Sequence, residues 1–291
     1  MGRYYVQEAL LLGLTLMPSV SYKANDVLSF GAGLNAMYAV LDQKIAVNNI
    51  LPSLDDGLLE LDSNTWGFGA NLGVLVEPND KSRYGVTYIS QVNLDFKTAP
   101  EFSGLGTELS TILGNRGLLD AELDLGMKVP HYVMASGYGE LGEDWAIMGN
   151  PSWQNWKEFG LVEVSASDTT SGLTADLKFK DTWHVAGGAR FDASDDWRVT
   201  AGIAYDSTPV EDVDRTLAFA LGDTRRVGAG LLWQVSVPVQ LGFAYELVWM
   251  GDLPVDQMRG PLAGRVSGVF ESSALHFLAL NLEWNFGSTG E

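Results

Sequence analysis

The side chains best suited to catalysis in this sequence are its three histidines, His131, His184 and His276. A catalytic histidine acts beside a nucleophile or a second ligand, but each of these residues falls in a different predicted β-strand. No serine occupies a Gly-x-Ser-x-Gly turn, and the lack of cysteine excludes a thiolate nucleophile and a zinc-thiolate site. We therefore expect no catalytic residue, no cofactor and no metal site, and we predict that the protein is not an enzyme.

Two glycine-rich stretches superficially match nucleotide-binding loops, namely Gly67-Phe68-Gly69 and Gly228-Ala229-Gly230. A nucleotide loop of this kind leads into a helix, whereas both stretches continue as alternating polar and apolar residues. Alternate glycines within a strand leave space along one of its faces. We interpret these glycines as space-making strand residues.

The charge balance narrows the possible partners. The 291 residues include 37 acidic and 18 basic side chains, and the formal net charge of −19 repels nucleic acid. No run of 18 apolar residues is present, so we expect no transmembrane helix, and the residues after Met1 do not form a signal peptide. The 46% hydrophobic content is still compatible with a membrane β-barrel, whose strands expose apolar residues at every second position.

The hydrophobic pattern has a period of two along the whole chain. In the 27–39 segment the even positions are apolar, including Phe30 and Leu34, while the odd positions are polar or small, including Gly31 and Asn35. Such alternation predicts amphipathic strands and an all-β chain. The eleven predicted strands span 13–22, 27–39, 65–76, 83–97, 129–138, 145–159, 182–191, 197–206, 226–235, 239–249 and 274–286.

The connections between these strands alternate between short and long. This segregation is typical of an outer-membrane β-barrel, with tight periplasmic turns on one side and long extracellular loops on the other. We therefore predict a single transmembrane antiparallel β-barrel domain over 1–291, located in the outer membrane of a Gram-negative type cell. A soluble sandwich with the aromatic residues in its core is the alternative. Outer-membrane barrels normally start in the periplasm and have an even strand count, so we expect an odd number of strands to precede residue 1.

Four motifs resemble those of the FadL-type outer-membrane transporters of long-chain fatty acids and hydrocarbons (OMPP1/FadL/TodX). They are Asn64-Thr65-Trp66-Gly67-Phe68-Gly69, Arg83-Tyr84-Gly85-Val86-Thr87-Tyr88 with Leu94-Asp95-Phe96-Lys97, Phe179-Lys180-Asp181-Thr182-Trp183, and Gly202-Ile203-Ala204-Tyr205-Asp206-Ser207-Thr208-Pro209-Val210. The resemblance runs essentially end to end. It implies a barrel of 14 strands plugged by an N-terminal hatch, so that three strands and the hatch are expected to be missing from this N-terminally truncated chain.

The first two long connections, 40–64 and 98–128, are unusually apolar for loops that only face water, and both are predicted to be partly helical. Their side chains either pack the loops against one another as a cap or line a groove for an acyl chain, and the two interpretations are compatible. The candidate groove residues are Ile45, Val47, Ile50, Leu51, Leu54, Leu58, Phe102, Leu105 and Leu109.

A carboxylate head group would in addition need a cation. Lys44, Lys178, Lys180 and Arg190 are the candidates, and the family resemblance places Lys44 near a basic ligand-contacting residue. The other predicted inward-facing arginines, Arg198 and Arg226, are expected to pair with acids such as Asp206 or Glu246.

The predicted function is passive uptake of long-chain fatty acids or related hydrophobic molecules through a plugged barrel. A general porin and a structural or surface-binding barrel are the alternatives. Expected partners are the hydrophobic small molecule, outer-membrane lipid and lipopolysaccharide. The acidic run Glu211-Asp212-Val213-Asp214 either bridges divalent cations to lipopolysaccharide or is simply solvated. No nucleic-acid partner is expected, and we predict a monomer.

Overall fold

The computed structural model describes residues 2–51, 53–119, 121–159, 161–166, 173–258 and 260–285. It contains seventeen strands, three short α-helices and two 3-10 turns at Gly2–Tyr4 and Asp212–Asp214. The strands are β1 (Glu8–Leu16), β2 (Ser19–Lys23), β3 (Leu28–Val47), β4 (Gly57–Asn79), β5 (Ser82–Ile89), β6 (Val92–Thr98), β7 (Glu101–Ser103), β8 (Leu123–Val129), β9 (Tyr132–Leu141), β10 (Trp145–Gln154), β11 (Leu161–Ala166), β12 (Leu173–Asp176), β13 (Thr182–Asp192), β14 (Trp197–Asp206), β15 (Thr224–Ser236), β16 (Val239–Met258) and β17 (Arg265–Trp284). The helices are α1 (Thr107–Asn115), α2 (Trp156–Phe159) and α3 (Gly260–Ala263). No helix in these segments is long and apolar enough to cross a membrane.

One antiparallel sheet forms the wall of the fold, in the order β1-β3-β4-β5-β9-β10-β13-β14-β15-β16-β17. Strands β1 and β2 both pair with β3 and count as one wall strand. The pairs Leu16↔Ala36 and Ser19↔Gly33 belong to the same register, so the two strands continue one ladder. Pro18 lies between them, and its carbonyl still accepts a hydrogen bond from the Leu34 amide at 3.1 Å. The predicted eleven wall strands and their sequential antiparallel order are confirmed.

Several wall strands extend well beyond their predicted ends. The β3–β4 ladder continues without a slip from Leu28↔Val76 to Val47↔Gly57, so most of the predicted 40–64 loop is strand, and none of its described residues is helical. The β16–β17 hairpin likewise extends to Met258↔Arg265. The prediction failed there because these upper ends are covered by other loops on one face, which removes the simple polar–apolar alternation. Position 286, the predicted end of the last strand, lies outside the described residues.

The two edges of the wall approach each other at the end that carries the long loops. Tyr5, which precedes β1, is 2% exposed, and its hydroxyl lies 2.9 Å from the carbonyl oxygen of Gln257 and 2.6 Å from that of Gly264, both at the top of the β16–β17 hairpin. A flat sheet of eleven strands would hold these residues far apart. The wall is therefore rolled, although no ladder joins β1 to β17 within the described residues.

The pleat gives the wall an apolar outer face. Along β15, exposed and less exposed residues alternate from Thr224 to Val235, and Val227, Leu231 and Trp233 belong to the exposed set. The exposed faces of neighbouring strands carry large apolar side chains, for example Ile203 with 67% and Leu280 with 85% exposure. Exposed apolar residues on this scale are expected where lipid replaces water around the protein.

Aromatic residues border this apolar face on both sides. The turn-side belt comprises Tyr22, Tyr84, Trp145, Trp197, Trp233 and Trp284, and the loop-side belt comprises Tyr38, Trp66, Trp183, Tyr205 and Trp249. On β14 the belts are represented by Trp197 and Tyr205, and a tilted strand of this length rises by about 20 Å, close to the ~25 Å apolar band of such barrels. Aromatic belts of this kind are typical of outer-membrane barrels.

A second, four-stranded sheet, β12-β11-β8-β6, forms within the connections, and β6 packs on the inner face of the wall. The buried residues Val92, Leu94 and Phe96 of β6 contact Ala39 and Leu41 of β3, on the face opposite to the exposed apolar one. The predicted single strand 83–97 is therefore wrong. The chain leaves the wall at Ser90 and Gln91, and the continuation enters the lumen as β6.

The close approach of β6 explains the alternate glycines of β4. A Cβ atom on Gly67 would lie 2.4 Å from Cγ1 of Val92 and 2.5 Å from the carbonyl oxygen of Asn93, and one on Gly69 would lie 2.7 Å from Oγ of Ser90. The interpretation that Gly67 and Gly69 leave free lumen space is wrong, because β6 occupies that space. Glycine is needed here so that two backbones can approach each other.

This contact predicts a difference between two glycines of the same strand. Gly67→Ala is expected to displace β6 and to destabilise its docking by roughly 1–3 kcal/mol, the usual effect of overpacking. Gly73→Ala is the matched control, because a Cβ there meets only the Val86 carbonyl oxygen at 3.9 Å. Hydrogen exchange of the β6 amides measures the effect. Equal protection in both variants would contradict the observed packing.

Candidate ligand-capture site and channel lumen

The two apolar loops identified from sequence are held together at the outer end of the fold by Asn49. This side chain is 3% exposed, and its amide donates to the carbonyl oxygens of Asp55 at 2.6 Å and Gly104 at 2.8 Å. Its side-chain oxygen accepts a hydrogen bond from the Gly106 amide at 2.7 Å. Asn49 thus joins the tip of the β3–β4 hairpin to the segment that starts α1, so the two loops form one cap.

The tip of the β3–β4 hairpin carries three exposed apolar side chains. Ile50, Leu51 and Leu54 are 42%, 41% and 43% exposed, respectively. Ile50 has a φ of 66°, which is unfavourable for a β-branched residue, and its amide donates to Oδ1 of Asn48 at 3.0 Å. Strained conformations persist where the surroundings impose them, often at binding sites. These three residues, called the apolar tip below, form an exposed apolar group at the end of the hairpin, and Ile112 and Leu118 of the second loop are exposed to the same degree.

The other predicted groove residues are divided among different surroundings. Ile45 and Val47 share the inner face of β3 with Leu41, whereas Leu58, opposite Ala46, lies on the other face. Phe102 pairs with Leu59 through β7. Leu105 abuts Gly57, and Leu109 of α1 is buried with 4% exposure. These residues build the interior of the cap, while the apolar tip remains available to a ligand.

Lys44 lies on β3 beyond the loop-side belt, on the face opposite to Ile45. Its Nζ is 3.1 Å from Oε1 of Glu60 and 3.7 Å from Oε2 of Glu8. The hydrogen bond to Glu60, together with the charges of Glu60 and Glu8, raises the pKa of Lys44. The lysine is therefore charged but already accompanied by two carboxylates, and a role in binding a carboxylate head group remains a prediction.

The two other predicted lysines precede β13. Lys180 forms an ion pair with Glu211, and its amide donates to the Pro209 carbonyl oxygen at 2.7 Å. Lys178 is exposed and adopts a φ of 58°, next to the buried Phe179. Both lie across the wall from the apolar tip in strand order, so the structure does not bring them together with Lys44.

The inward-facing arginines are paired with acids, as expected for Arg198 and Arg226. Arg226 lies 2.8 Å from Oδ2 of Asp206 and 3.7 Å from Oε1 of Glu246. Arg198 lies 2.5 Å from Oδ1 of Asp192, a residue that also approaches Arg190 at 3.2 Å. The predicted site residue Arg190 also lies 3.7 Å from Glu140 and over the ring of Tyr138. Arg190 thus belongs to a lumen charge network.

The three histidines remain apart, each in its own polar contact. His184 in the lumen is 2.7 Å from Oδ1 of Asp206, His131 is 2.8 Å from the Tyr88 hydroxyl, and His276 is 2.8 Å from that of Tyr245. Among the described residues no cluster of histidine and carboxylate side chains could hold a metal ion.

Sequence reasoning missed a second part of the outer cap. Phe159, Phe179 and Val210 are buried together, with Trp156 packed edge-on to Phe159 at 5.1 Å between ring centroids. Arg215, 3% exposed, ties this region to β16 through a 2.9 Å hydrogen bond to the Pro254 carbonyl oxygen. The aromatic residues in these connections were the available sequence signal for a buried cluster. The contact among Phe159, Phe179 and Val210 joins segments that are distant in sequence, so it leaves no local pattern.

Between the Arg226 cluster on the loop side and the Arg190–Asp192–Arg198 cluster on the turn side, the inner face of β13 to β17 consists mainly of glycine and alanine. An open cavity of about 520 Å³ lies against this part of the wall, in the size range of small-molecule sites. Small residues such as Gly188, Gly202 and Ala244 line it, and Arg226 and Glu246 border it. This part of the lumen thus combines a surface of small residues with a charged cluster at each end.

The chain matches a known protein family. The family described as "Outer membrane protein transport protein (OMPP1/FadL/TodX)" matches residues 1–286. The chain belongs to this family. This FadL-type protein is therefore an outer-membrane β-barrel protein of a transport family, in agreement with the predicted location and with the prediction that it is not an enzyme.

The relatives of this FadL-type protein carry transport names. It is 28% identical over 260 residues to the long-chain fatty acid transport protein of Escherichia coli strain CFT073, covering 80% of this chain and 58% of the relative. It is also 28% identical to outer membrane protein P1 of Haemophilus influenzae, over 81% of this chain and 56% of the relative. The chain thus spans less than two thirds of the length of these curated relatives.

Solved structures show the same fold. A Pseudomonas aeruginosa FadL homologue superposes with a TM-score of 0.82 at 20% identity, covering 98% of this chain and 70% of the other. The toluene transporter TodX of Pseudomonas putida gives a TM-score of 0.61 at 16% identity, covering 95% and 70%.

Proposed function

We propose that this FadL-type protein is a single β-barrel domain that takes up long-chain fatty acids or related hydrophobic molecules passively across the outer membrane. The ligand is captured by the apolar tip and then passes through the lumen. The observation that carries this proposal is the set of exposed apolar residues Ile50, Leu51 and Leu54 at the outer end of the fold, held there by a strained turn. Water-facing loops have no structural need for such side chains.

Apolar burial supplies enough free energy for capture. Each methylene group removed from water contributes about 0.8 kcal/mol, so a chain of a dozen carbons binds without any contact to its head group. Lys44 is accompanied by Glu8 and Glu60, which weakens its attraction for a further carboxylate. We therefore infer that capture recognises the hydrocarbon chain, which accommodates both fatty acids and hydrocarbons. Relatives named as fatty acid transport proteins and as toluene transporters support this breadth.

The lumen offers a path that does not retain the ligand. Glycine and alanine along the inner face of β13 to β17 offer little side-chain surface for binding an acyl chain. The open cavity there leaves room for an acyl chain to pass. The arginines are paired with acids, so they do not trap a carboxylate by themselves. Movement is then driven by the concentration gradient, and the protein acts as a monomer.

Removal of the apolar tip is expected to weaken capture. The double variant Leu51→Ser, Leu54→Ser in liposome-assembled protein should bind a C16 to C18 fatty acid and an alcohol of equal length roughly tenfold or more weakly, because apolar contact area is lost for both. Fluorescence titration with a labelled acyl chain measures the affinity. Val213→Ser is the matched control, because Val213 is 81% exposed in a different outer loop.

Two further outcomes separate this function from its alternatives. Lys44→Ala should change the affinities for acid and alcohol by less than about threefold, whereas a selective loss of the acid would assign the head group to Lys44. A general porin would admit sugars in a liposome-swelling assay. Unchanged acyl binding in the Leu51, Leu54 variant together with rapid sugar entry would contradict hydrophobic uptake.

A further inference from the structure

Two consecutive arginines of β15 point to opposite faces of the wall. Arg226 faces the lumen and is paired with Asp206 and Glu246. Arg225 is exposed on the outer face, where its guanidinium carbon lies 5.3 Å from the centroid of the Trp249 ring. Within the described part of the chain, Arg225 makes this aromatic contact and forms no ion pair with a carboxylate.

The neighbours of Arg225 place it at the height of the lipid head groups. It faces Tyr205 on β14 and Trp249 on β16, both in the loop-side belt and both exposed on the outer face. Tyrosine and tryptophan at a membrane interface mark the boundary between acyl chains and head groups.

The acids of the adjoining loops are already engaged. Asp223 accepts a hydrogen bond from the Thr208 amide at 2.7 Å, and Glu211 pairs with Lys180. Among the described residues, Arg225 forms no ion pair with a carboxylate and contacts the Trp249 ring instead.

A guanidinium group facing lipid without a counter-charge is unfavourable unless it reaches an anion at the interface. Arginine suits a phosphate there, because its planar fork donates two parallel hydrogen bonds while its face stacks on an aromatic ring. We propose that Arg225, stacked on Trp249, binds a phosphate group of an outer-leaflet lipid, as found in the bisphosphorylated lipid A of lipopolysaccharide. This site differs from the predicted contact through bridged acids, since Glu211 and Asp212 pair with Lys180 and Arg215.

The test measures binding of bisphosphorylated lipid A to the detergent-solubilised protein by native mass spectrometry. Arg225→Gln should weaken binding about tenfold or more, the effect of losing a charge-assisted contact. Arg225→Lys should retain part of the affinity, because the charge remains but the fork and the stacking are lost. Arg265→Gln is the matched control, since Arg265 is an exposed outer-end arginine already paired with Asp256 at 2.5 Å. Gel mobility of unheated samples verifies that each variant is assembled.

The source of the phosphate is tested with two other probes. Dephosphorylated lipid A should bind all four proteins equally, and millimolar inorganic phosphate should not displace lipid A, because it lacks the acyl chains that add apolar contact. The proposal would be overturned if Arg225→Gln weakened the binding of both forms of lipid A equally, or if its affinity for bisphosphorylated lipid A were unchanged. Displacement of lipid A by inorganic phosphate would overturn it as well. Acyl-chain capture by the apolar tip should be the same in Arg225→Gln and the unmodified protein, so this test is independent of the proposed transport function.

Discussion

An arginine in place of Ala229 is expected to destabilise the assembled protein by about 2–4 kcal/mol, the effect of a charge facing lipid near the middle of the bilayer. Ala229 lies on the exposed face of β15, midway between Arg225 beside the loop-side belt and Trp233 in the turn-side belt. Its neighbours across the ladder are Ala201 and Tyr245, so no carboxylate is available to the new charge on that face. The midpoint of urea unfolding in liposomes, followed by tryptophan fluorescence, measures the loss.

Gly228→Arg provides the matched control for this prediction. The substitution places the same charge one residue away on the lumen face, where a Cβ meets the Tyr245 carbonyl oxygen at 3.5 Å and the Glu246 side chain at 3.9 Å. These are ordinary contact distances, and Glu246 offers a counter-charge. We expect assembly close to that of the unmodified protein. If Gly228→Arg proved as destabilising as Ala229→Arg, the assignment of the two faces would be wrong.

Phe96→Ala is expected to destabilise the docking of β6 on the wall by about 3–5 kcal/mol, because it leaves a cavity in a close-packed contact. The Phe96 side chain is fully buried at 0% exposure among Ala39, Leu41 and Leu94. Hydrogen exchange of the β6 amides and protease cleavage within the connection from β6 to β8 should both increase. The wall ladders should keep their protection, since none of their hydrogen bonds is altered.

Phe68→Ala is the control for the effect of deleting an aromatic ring. Phe68 lies on β4 with 71% exposure on the outer face, where lipid fills the space that the ring leaves. β6 should therefore retain its protection in this variant. Unchanged protection of β6 in Phe96→Ala would show that the inner sheet does not depend on this contact.

The structure also changes the interpretation of the candidate site. Sequence reasoning grouped Lys44 with the apolar residues that follow it, but the pleat places Lys44 and Ile45 on opposite faces and gives Lys44 two carboxylate neighbours. Ile50, Leu51 and Leu54 remain accessible, whereas Leu109 is buried in the cap. The site residues stay predictions, and the structure selects the apolar tip as the part to test first.

The number, the order and the two faces of the wall strands follow from the sequence alone. Alternation along β14 and β15 assigns each residue to one of two faces, because successive side chains in a strand point in opposite directions, and no contact from elsewhere is needed to make that assignment. The lengths of the connections predicted the separation of tight turns from long loops, and the inward-facing positions predicted the pairing of Arg198 and Arg226 with lumen acids. The fold of the connections, in contrast, depends on tertiary contacts. The entry of β6 into the lumen against Gly67, the burial of Phe159 with Phe179 and Val210, and the pairing of Lys44 with Glu8 and Glu60 all join segments that are distant in sequence. Contacts of that kind depend on which surfaces meet after the wall has rolled up, and they leave no periodic signal in the chain.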